Sequence, residues 1–64
     1  MKNNKTGNDL VLEALERDYG VVISLDEEFW IDLIYEGMEY YRDWEETLDW
    51  IVEKYDLQPL FPVG

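Results

Sequence analysis

Acidic side chains recur every three or four residues between positions 28 and 43. At 100° per residue they fall within an arc of about 80° on a helix, and no basic residue shares that arc. Clustered carboxylates can serve acid–base catalysis, bind divalent cations, or attract the basic groups of a partner. The members of this acidic stripe are Glu28, Asp32, Glu36, Glu39 and Asp43.

Catalysis and metal binding find little support in the residue types. The 64-residue chain has no His and no Cys, which removes the commonest general base, the best nucleophile and the usual zinc ligands. A calcium-binding loop starting at Asp43 would place Leu48 at the obligatory Gly position and Lys54 at the bidentate Glu position. We therefore predict no enzymatic activity, no metal site and no cofactor.

Net charge is the strongest indicator of the kind of partner. The formal charge is −11, yet 47% of residues are apolar and 16% are aromatic, too many for a disordered acidic tail. An acidic folded surface attracts basic proteins and repels nucleic acids and anionic membranes. No run approaches the roughly 18 apolar residues of a membrane span, and we expect a cytoplasmic protein.

The spacing of the acidic stripe suggests a more specific use. Neighbouring members should lie about 5–6 Å apart, close to the roughly 6–7 Å between phosphates along a nucleic-acid strand. The stripe could thus occupy a nucleic-acid-binding groove by mimicking phosphates. The alternative is a solvated face that only prevents aggregation.

Three helices account for the pattern of apolar and capping residues, which predicts a small all-α bundle. The first covers about 9–19, capped by Asn8 and ended by Gly20. The second covers about 25–42, starting from a capping box between Ser24 and Glu27. Gly37 either lies inside it or bends it, and the sequence leaves this open.

The third helix covers about 44–55, with Asp43 as N-cap and Glu46 three residues later. Residues 1–7 should form a flexible arm before a single acidic helical domain, 8–64. Residues 21–23 should form a short extended link, and the C-terminal tail should be irregular. Pairing of this link with Leu60 and Phe61 as a ribbon is disfavoured, because Pro59 and Pro62 flank them.

Trp50 departs from the apolar face of the third helix. That face is predicted to hold Trp44, Leu48, Ile51, Val52 and Tyr55. Trp50 points about 120° away from the centre of that face, among Glu46, Glu53 and Lys54. Either the C-terminal segment 57–63 folds back over it, or it is an anchor for a partner, since Trp is enriched at binding hot spots.

Two stretches resemble acyl carrier proteins. Residues 13–21, EALERDYGV, are similar to the end of the family's recognition helix, and residues 44–54 to its last helix. The resemblance implies a small acidic helical protein. Lys5 stands where the family's phosphopantetheine-bearing Ser belongs, and the family's first helix has no counterpart, so an acyl-carrier-like protein would lack its attachment site.

The sequence thus predicts a small acidic inhibitor that occludes the basic nucleic-acid-binding surface of an enzyme such as a nuclease. Phage anti-defence proteins and nuclease-immunity proteins have this general character. The competing prediction is a structural or adaptor module that uses its aromatic surface to dock or to form a homodimer. The candidate partner-binding residues are Glu28, Asp32, Glu36, Glu39, Asp43, Glu46, Trp50 and Glu53.

Overall fold

The computed structural model describes residues 5–60 and contains three helices: α1 (Gly7–Tyr19), α2 (Glu27–Tyr41) and α3 (Trp44–Lys54). A single 3-10 turn, Ile23–Leu25, lies between α1 and α2. The described residues include no strand. The predicted all-α three-helix bundle is confirmed.

Helix α1 begins two residues before its predicted start, because Thr6 rather than Asn8 caps it. The Thr6 hydroxyl accepts a hydrogen bond from the Asp9 N–H at 3.3 Å, and the Asp9 carboxylate accepts one from the Thr6 N–H at 3.3 Å. This reciprocal capping box satisfies two exposed backbone donors. Gly7 therefore belongs to α1 and not to the predicted arm, whose residues 1–4 lie outside the described residues.

The predicted capping box at Ser24 is wrong. Residues Ile23–Leu25 instead form the 3-10 turn, and α2 begins only at Glu27, where Asp26 makes no side-chain capping bond. The turn places Ile23 in the core, where it is 6% exposed. Burial of this apolar side chain outweighs the cap, since a buried Ile contributes about 1.5–3 kcal/mol and a cap about 1 kcal/mol. The extended link predicted for residues 21–23 is confirmed at Val22 (φ −95°, ψ 90°) and is wrong at Ile23, which belongs to the 3-10 turn.

Helix α2 continues through Gly37 without a break and ends at Tyr41. Arg42 follows in the left-handed conformation, with φ at 60°. The chain then turns directly into α3, whose predicted N-cap is confirmed: the Asp43 carboxylate accepts a hydrogen bond from the Glu45 N–H at 3.2 Å. Helix α3 ends at Lys54, one residue before the prediction.

All three helices contribute to the hydrophobic core. Its buried members are Val11, Leu15, Ile23, Leu33, Ile34 and Ile51. Thr47 is also fully buried, and its hydroxyl donates to the Met38 Sδ at 3.4 Å. The predicted core face of α3 is correct at Ile51, which is buried, and at Trp44 and Leu48, which pack against the core. It is wrong at Tyr55, which is 40% exposed.

Gly37 brings α2 and α3 unusually close together. A Cβ atom on Gly37 would lie 2.6 Å from Thr47 Cγ2 and 2.9 Å from Trp50 Cε3. Those distances are far inside van der Waals contact, so only a residue without a side chain fits here. The glycine that disfavours an isolated helix is what permits this interface.

The C-terminal segment returns to α1. The Leu60 N–H donates to the Asp18 carbonyl at 2.7 Å, and the Leu60 side chain lies against Gly20. Leu60 therefore lies near the end of α1, while residues 61–63 of the segment predicted to cover Trp50 lie outside the described residues. Phe61, the other predicted ribbon residue, also lies outside.

Within residues 5–60, no helix combines the length and the apolar character needed to cross a membrane.

Candidate functional site

The acidic stripe is presented to solvent along α2. Glu28, Asp32, Glu36 and Glu39 are all exposed. Asp43 is exposed too, but it does not continue the helical face, because α2 ends at Tyr41 and Asp43 caps α3. The stripe therefore consists of four carboxylates on one helix and a fifth at the α2–α3 corner.

Positive charge does not neutralise these carboxylates within the described part of the chain. The two ion pairs found among residues 5–60, Lys5 with Glu13 and Arg17 with Asp18, both use carboxylates of α1. The segment from position 27 to 54 holds ten Asp and Glu residues against two basic residues, Arg42 and Lys54. The negative potential of the bundle is therefore concentrated on α2 and α3.

The Arg17–Asp18 pair on α1 shows what the carboxylates of the acidic stripe lack. Arg17 Nε donates to Asp18 Oδ1 at 3.0 Å, and Arg17 Nη2 donates to Asp18 Oδ2 at 3.2 Å. These hydrogen bonds, with the positive charge of the guanidinium, lower the pKa of Asp18. The same hydrogen bonds, with the negative charge of the carboxylate, raise the pKa of Arg17. Both side chains are well exposed, so the pair contributes little to stability.

Trp50 packs against α2. Its ring lies over Gly37, and its centroid is 6.1 Å from that of Tyr41. The Lys54 Nζ lies 5.6 Å from the Trp50 ring centroid, within the range of a cation–π interaction. Trp50 is half-buried, with part of its ring left at the surface.

Two surface cavities meet at this tryptophan. One of about 330 Å³ and one of about 280 Å³ share Tyr41 and Trp50 as lining residues, and together we call them the aromatic groove. The larger cavity is lined by Glu36, Gly37, Tyr40, Tyr41 and Trp50. The smaller is lined by Tyr41, Glu46, Asp49, Trp50 and Glu53.

The groove brings together half of the predicted partner-binding residues, and its carboxylates belong to both helices. Glu36 reaches it from α2, and Glu46 and Glu53 reach it from α3 beside Trp50. The other four predicted residues line neither cavity: Glu28, Asp32, Glu39 and Asp43.

Sequence reasoning missed three lining residues of the groove: Gly37, Tyr40 and Tyr41. The helical pattern places both tyrosines on the apolar side of α2, yet Tyr40 is 79% exposed. Asp49 also lines the groove, one turn from Glu46 and Glu53. Gly37 is the sequence signal that could have indicated the groove, because a glycine inside a helical pattern marks a close approach of backbones. Here that approach places Trp50 beside Tyr41.

A second exposed surface, apolar in character, lies around the start of α2. Leu25 is 82% exposed and Val22 is 55% exposed. Phe29 packs edge-on against Tyr55, with ring centroids 5.7 Å apart, and each of these residues is more than a third exposed.

No group of three or more acidic side chains among residues 5–60 converges in a way that could hold a metal ion. The fold and its surface define a small all-α bundle with an acidic, aromatic-lined α2–α3 face. Comparison of the chain with protein-family models, curated proteins and solved structures gives no match.

Proposed function

We propose that the protein is a binding inhibitor without catalytic activity of its own, acting in the cytoplasm. In this proposal the acidic stripe occupies the basic nucleic-acid-binding surface of a target enzyme. The observation that carries the proposal is the unneutralised charge of α2 and α3, with ten carboxylates against two basic side chains between positions 27 and 54. Such a surface gains most from a partner that supplies the missing cations.

The geometry of α2 supports mimicry of a phosphate strand. Residues four apart on a helix rise about 6 Å along its axis, which is close to the roughly 6–7 Å between successive phosphates. Glu28, Asp32 and Glu36 follow this spacing, and all three are exposed. A groove that binds phosphates with Lys and Arg could therefore accept this face of the helix.

Repulsion within the stripe is a cost that the isolated protein bears. Carboxylates at i and i+4 destabilise a helix by a few tenths of a kcal/mol per pair. Binding to a basic surface removes this repulsion and adds attraction, and the same long-range field accelerates association. Phage anti-defence proteins and nuclease-immunity proteins provide settings in which such occlusion is useful.

The test begins with affinity capture from a bacterial lysate at low and at high salt, with and without nuclease treatment. Captured nucleic-acid enzymes are then assayed for inhibition by the wild-type protein and by the variant Glu28→Gln, Asp32→Asn, Glu39→Gln, which leaves the aromatic groove unchanged. The matched control, Glu16→Gln, Glu27→Gln, Glu45→Gln, removes the same number of charges from exposed positions outside the stripe. We expect inhibition to be lost in the stripe variant and kept in the control.

Equal inhibition by the stripe variant and the wild type would refute the mimic proposal. Equal loss in both variants would show that net charge alone matters, and the assignment to the stripe would then be wrong.

The exposed apolar surface at Val22, Leu25, Phe29 and Tyr55 favours a second candidate function, docking or homodimerisation as an adaptor. Apolar docking loses little affinity when salt is raised, whereas an electrostatic mimic loses much of it. A salt-resistant complex that is disrupted by Leu25→Asp and unaffected by the stripe variant would establish this function instead.

A further inference from the structure

The aromatic groove combines two features that separately attract cations. Tyr40, Tyr41 and Trp50 offer ring surfaces, and Glu36 borders the same cavity as all three. The smaller cavity, which shares Tyr41 and Trp50, is also lined by Glu46, Asp49 and Glu53. Ring faces attract cations through their quadrupole, and carboxylates attract them by charge and by accepting hydrogen bonds.

We propose that the aromatic groove binds an arginine side chain of the partner protein, with the guanidinium against Trp50 and Tyr41 and its N–H groups donating to the flanking carboxylates. This inference rests on the proposed function, in that it names the contact by which a basic partner surface would be held. It assigns a separate role to the groove, since four of the stripe residues lie outside it.

Charge complementarity selects a cation as the occupant. The groove carries four carboxylates from two helices, and within residues 5–60 none of the four forms an ion pair. The nearby Lys54 ammonium lies over the Trp50 ring at 5.6 Å and over the Tyr55 ring at 5.9 Å. The Trp50 ring thus attracts a cation of the protein itself, and an arginine of the partner would displace Lys54 or use ring surface that Lys54 leaves free.

The chemistry of the lining favours arginine over lysine. A guanidinium is planar and weakly hydrated, so it stacks on aromatic rings with little loss of solvation, and its five N–H donors can serve more than one carboxylate oxygen. A lysine ammonium is compact and strongly hydrated, and it acts as a point charge. A surface that combines rings with carboxylates therefore suits the planar, many-donor cation.

A second copy of the chain is a poor occupant of this groove. Each copy carries a formal charge of −11, and the segment containing the groove holds most of it. Pairing two such faces would bring like charges together, which is unfavourable across an interface.

The test uses the full-length protein labelled with ¹⁵N and two short peptides of equal charge, acetyl-(Gly-Arg)₃-amide and acetyl-(Gly-Lys)₃-amide. Signals of the indole N–H groups of Trp30, Trp44 and Trp50 are followed during titration in about 0.15 M NaCl. We expect the arginine peptide to shift the Trp50 signal saturably and to bind about five-fold more tightly than the lysine peptide.

Variants locate the contact without removing Trp50, whose packing on Gly37 makes its replacement a risk to folding. The groove variant is Tyr40→Leu with Glu46→Gln, both exposed positions. The control is Tyr35→Leu with Glu16→Gln, which removes an exposed tyrosine from the same helix and one carboxylate, both outside the groove. We expect about five-fold weaker arginine-peptide binding in the groove variant and less than about two-fold change in the control.

Several outcomes would overturn the inference. Equal binding of the two peptides, or shifts confined to amides of the acidic stripe, would indicate diffuse electrostatic attraction. Tighter binding of a matching trimethyl-lysine peptide than of the arginine peptide would assign the groove to methylated lysine instead.

The two proposals can fail independently. Inhibition of a nucleic-acid enzyme by a protein whose groove shows no arginine preference would leave the proposed function standing and refute the groove inference. Arginine-specific binding at Trp50 in a protein that inhibits no such enzyme would support the groove inference and refute the proposed function.

Discussion

Gly37 allows α2 and α3 to pack closely, and replacing it with Ala has two opposing effects on stability. Alanine has the higher intrinsic helix propensity, worth about 1 kcal/mol in an exposed helix interior. Here its methyl group would lie 2.6 Å from Thr47 Cγ2 and 2.9 Å from the Trp50 ring, inside an already packed interface. We expect overpacking to prevail, so that Gly37→Ala lowers the free energy of unfolding by about 1–3 kcal/mol in urea denaturation followed by circular dichroism.

Gly7→Ala is the matched control for that measurement. Its new methyl group would meet Met38 Cε, the end of a flexible side chain that can move aside. We expect an unchanged or slightly increased stability, within about 1 kcal/mol. A stabilised Gly37→Ala protein would show that the close α2–α3 approach is not a constraint.

Residue type explains why the buried face of α3 was only partly predicted. An apolar pattern does not select Thr47, yet this side chain is fully buried because its small methyl fits the space left by Gly37. The buried positions Thr47 and Ile51 rotate the face of α3 towards Trp50, which is therefore half-buried instead of isolated. The residue types of α3 alone cannot predict the burial of Thr47, because the space it fills is created by Gly37 of α2.

At the level of elements, amphipathic periodicity predicts the three helices. The residue at which each helix begins depends on which of the possible N-caps forms in the folded protein. Thr6 and Asp9 have the capping-box spacing, so the true start of α1 was readable from the sequence. Ser24 and Glu27 have the same spacing, but the chain forms a 3-10 turn there because Ile23 must reach the core. The capping-box spacing is the same in these two places, so it cannot distinguish them. Burial of Ile23 in the core determines that only the capping box at Thr6 forms.

The C-terminal segment gives a prediction at the same scale. Leu60 contacts Gly20, and its N–H donates to the Asp18 carbonyl near the end of α1. We expect Leu60→Ala to lower the free energy of unfolding by about 1 kcal/mol through lost apolar burial. Thermal unfolding measures this loss, and Gln58→Ala, an exposed change in the same segment, should leave stability nearly unchanged.

The Trp50 indole N–H signal provides an independent check on that segment. It should not move in Leu60→Ala, because Trp50 packs on α2 and Leu60 packs at the end of α1. A shifted Trp50 signal with unchanged stability would favour the alternative in which the segment covers Trp50.

For the molecule as a whole, charge and dimensions together determine how stability responds to salt. The described structure extends 31 × 29 × 24 Å and the chain carries a formal charge of −11. At about 0.01 M salt the Debye length is about 30 Å, so every carboxylate interacts with the others across the bundle. At about 0.15 M it falls to about 8 Å, and only near neighbours on the same face still repel one another.

We therefore expect the midpoint of thermal unfolding to rise with NaCl, mostly below about 0.15 M, by about 4–8 °C for each kcal/mol of repulsion that is screened. The variant Glu28→Gln, Asp32→Asn, Glu36→Gln, Glu39→Gln should unfold at a higher temperature than the wild type at low salt and should respond less to added NaCl. Differential scanning calorimetry across a salt series measures both effects. An identical salt response in the variant would mean that the acidic stripe is not where the repulsion resides. A smaller salt response in the variant would show that repulsion within the acidic stripe destabilises the wild-type fold. A basic partner would reduce this repulsion, as salt does, and would also stabilise the folded state by mass action.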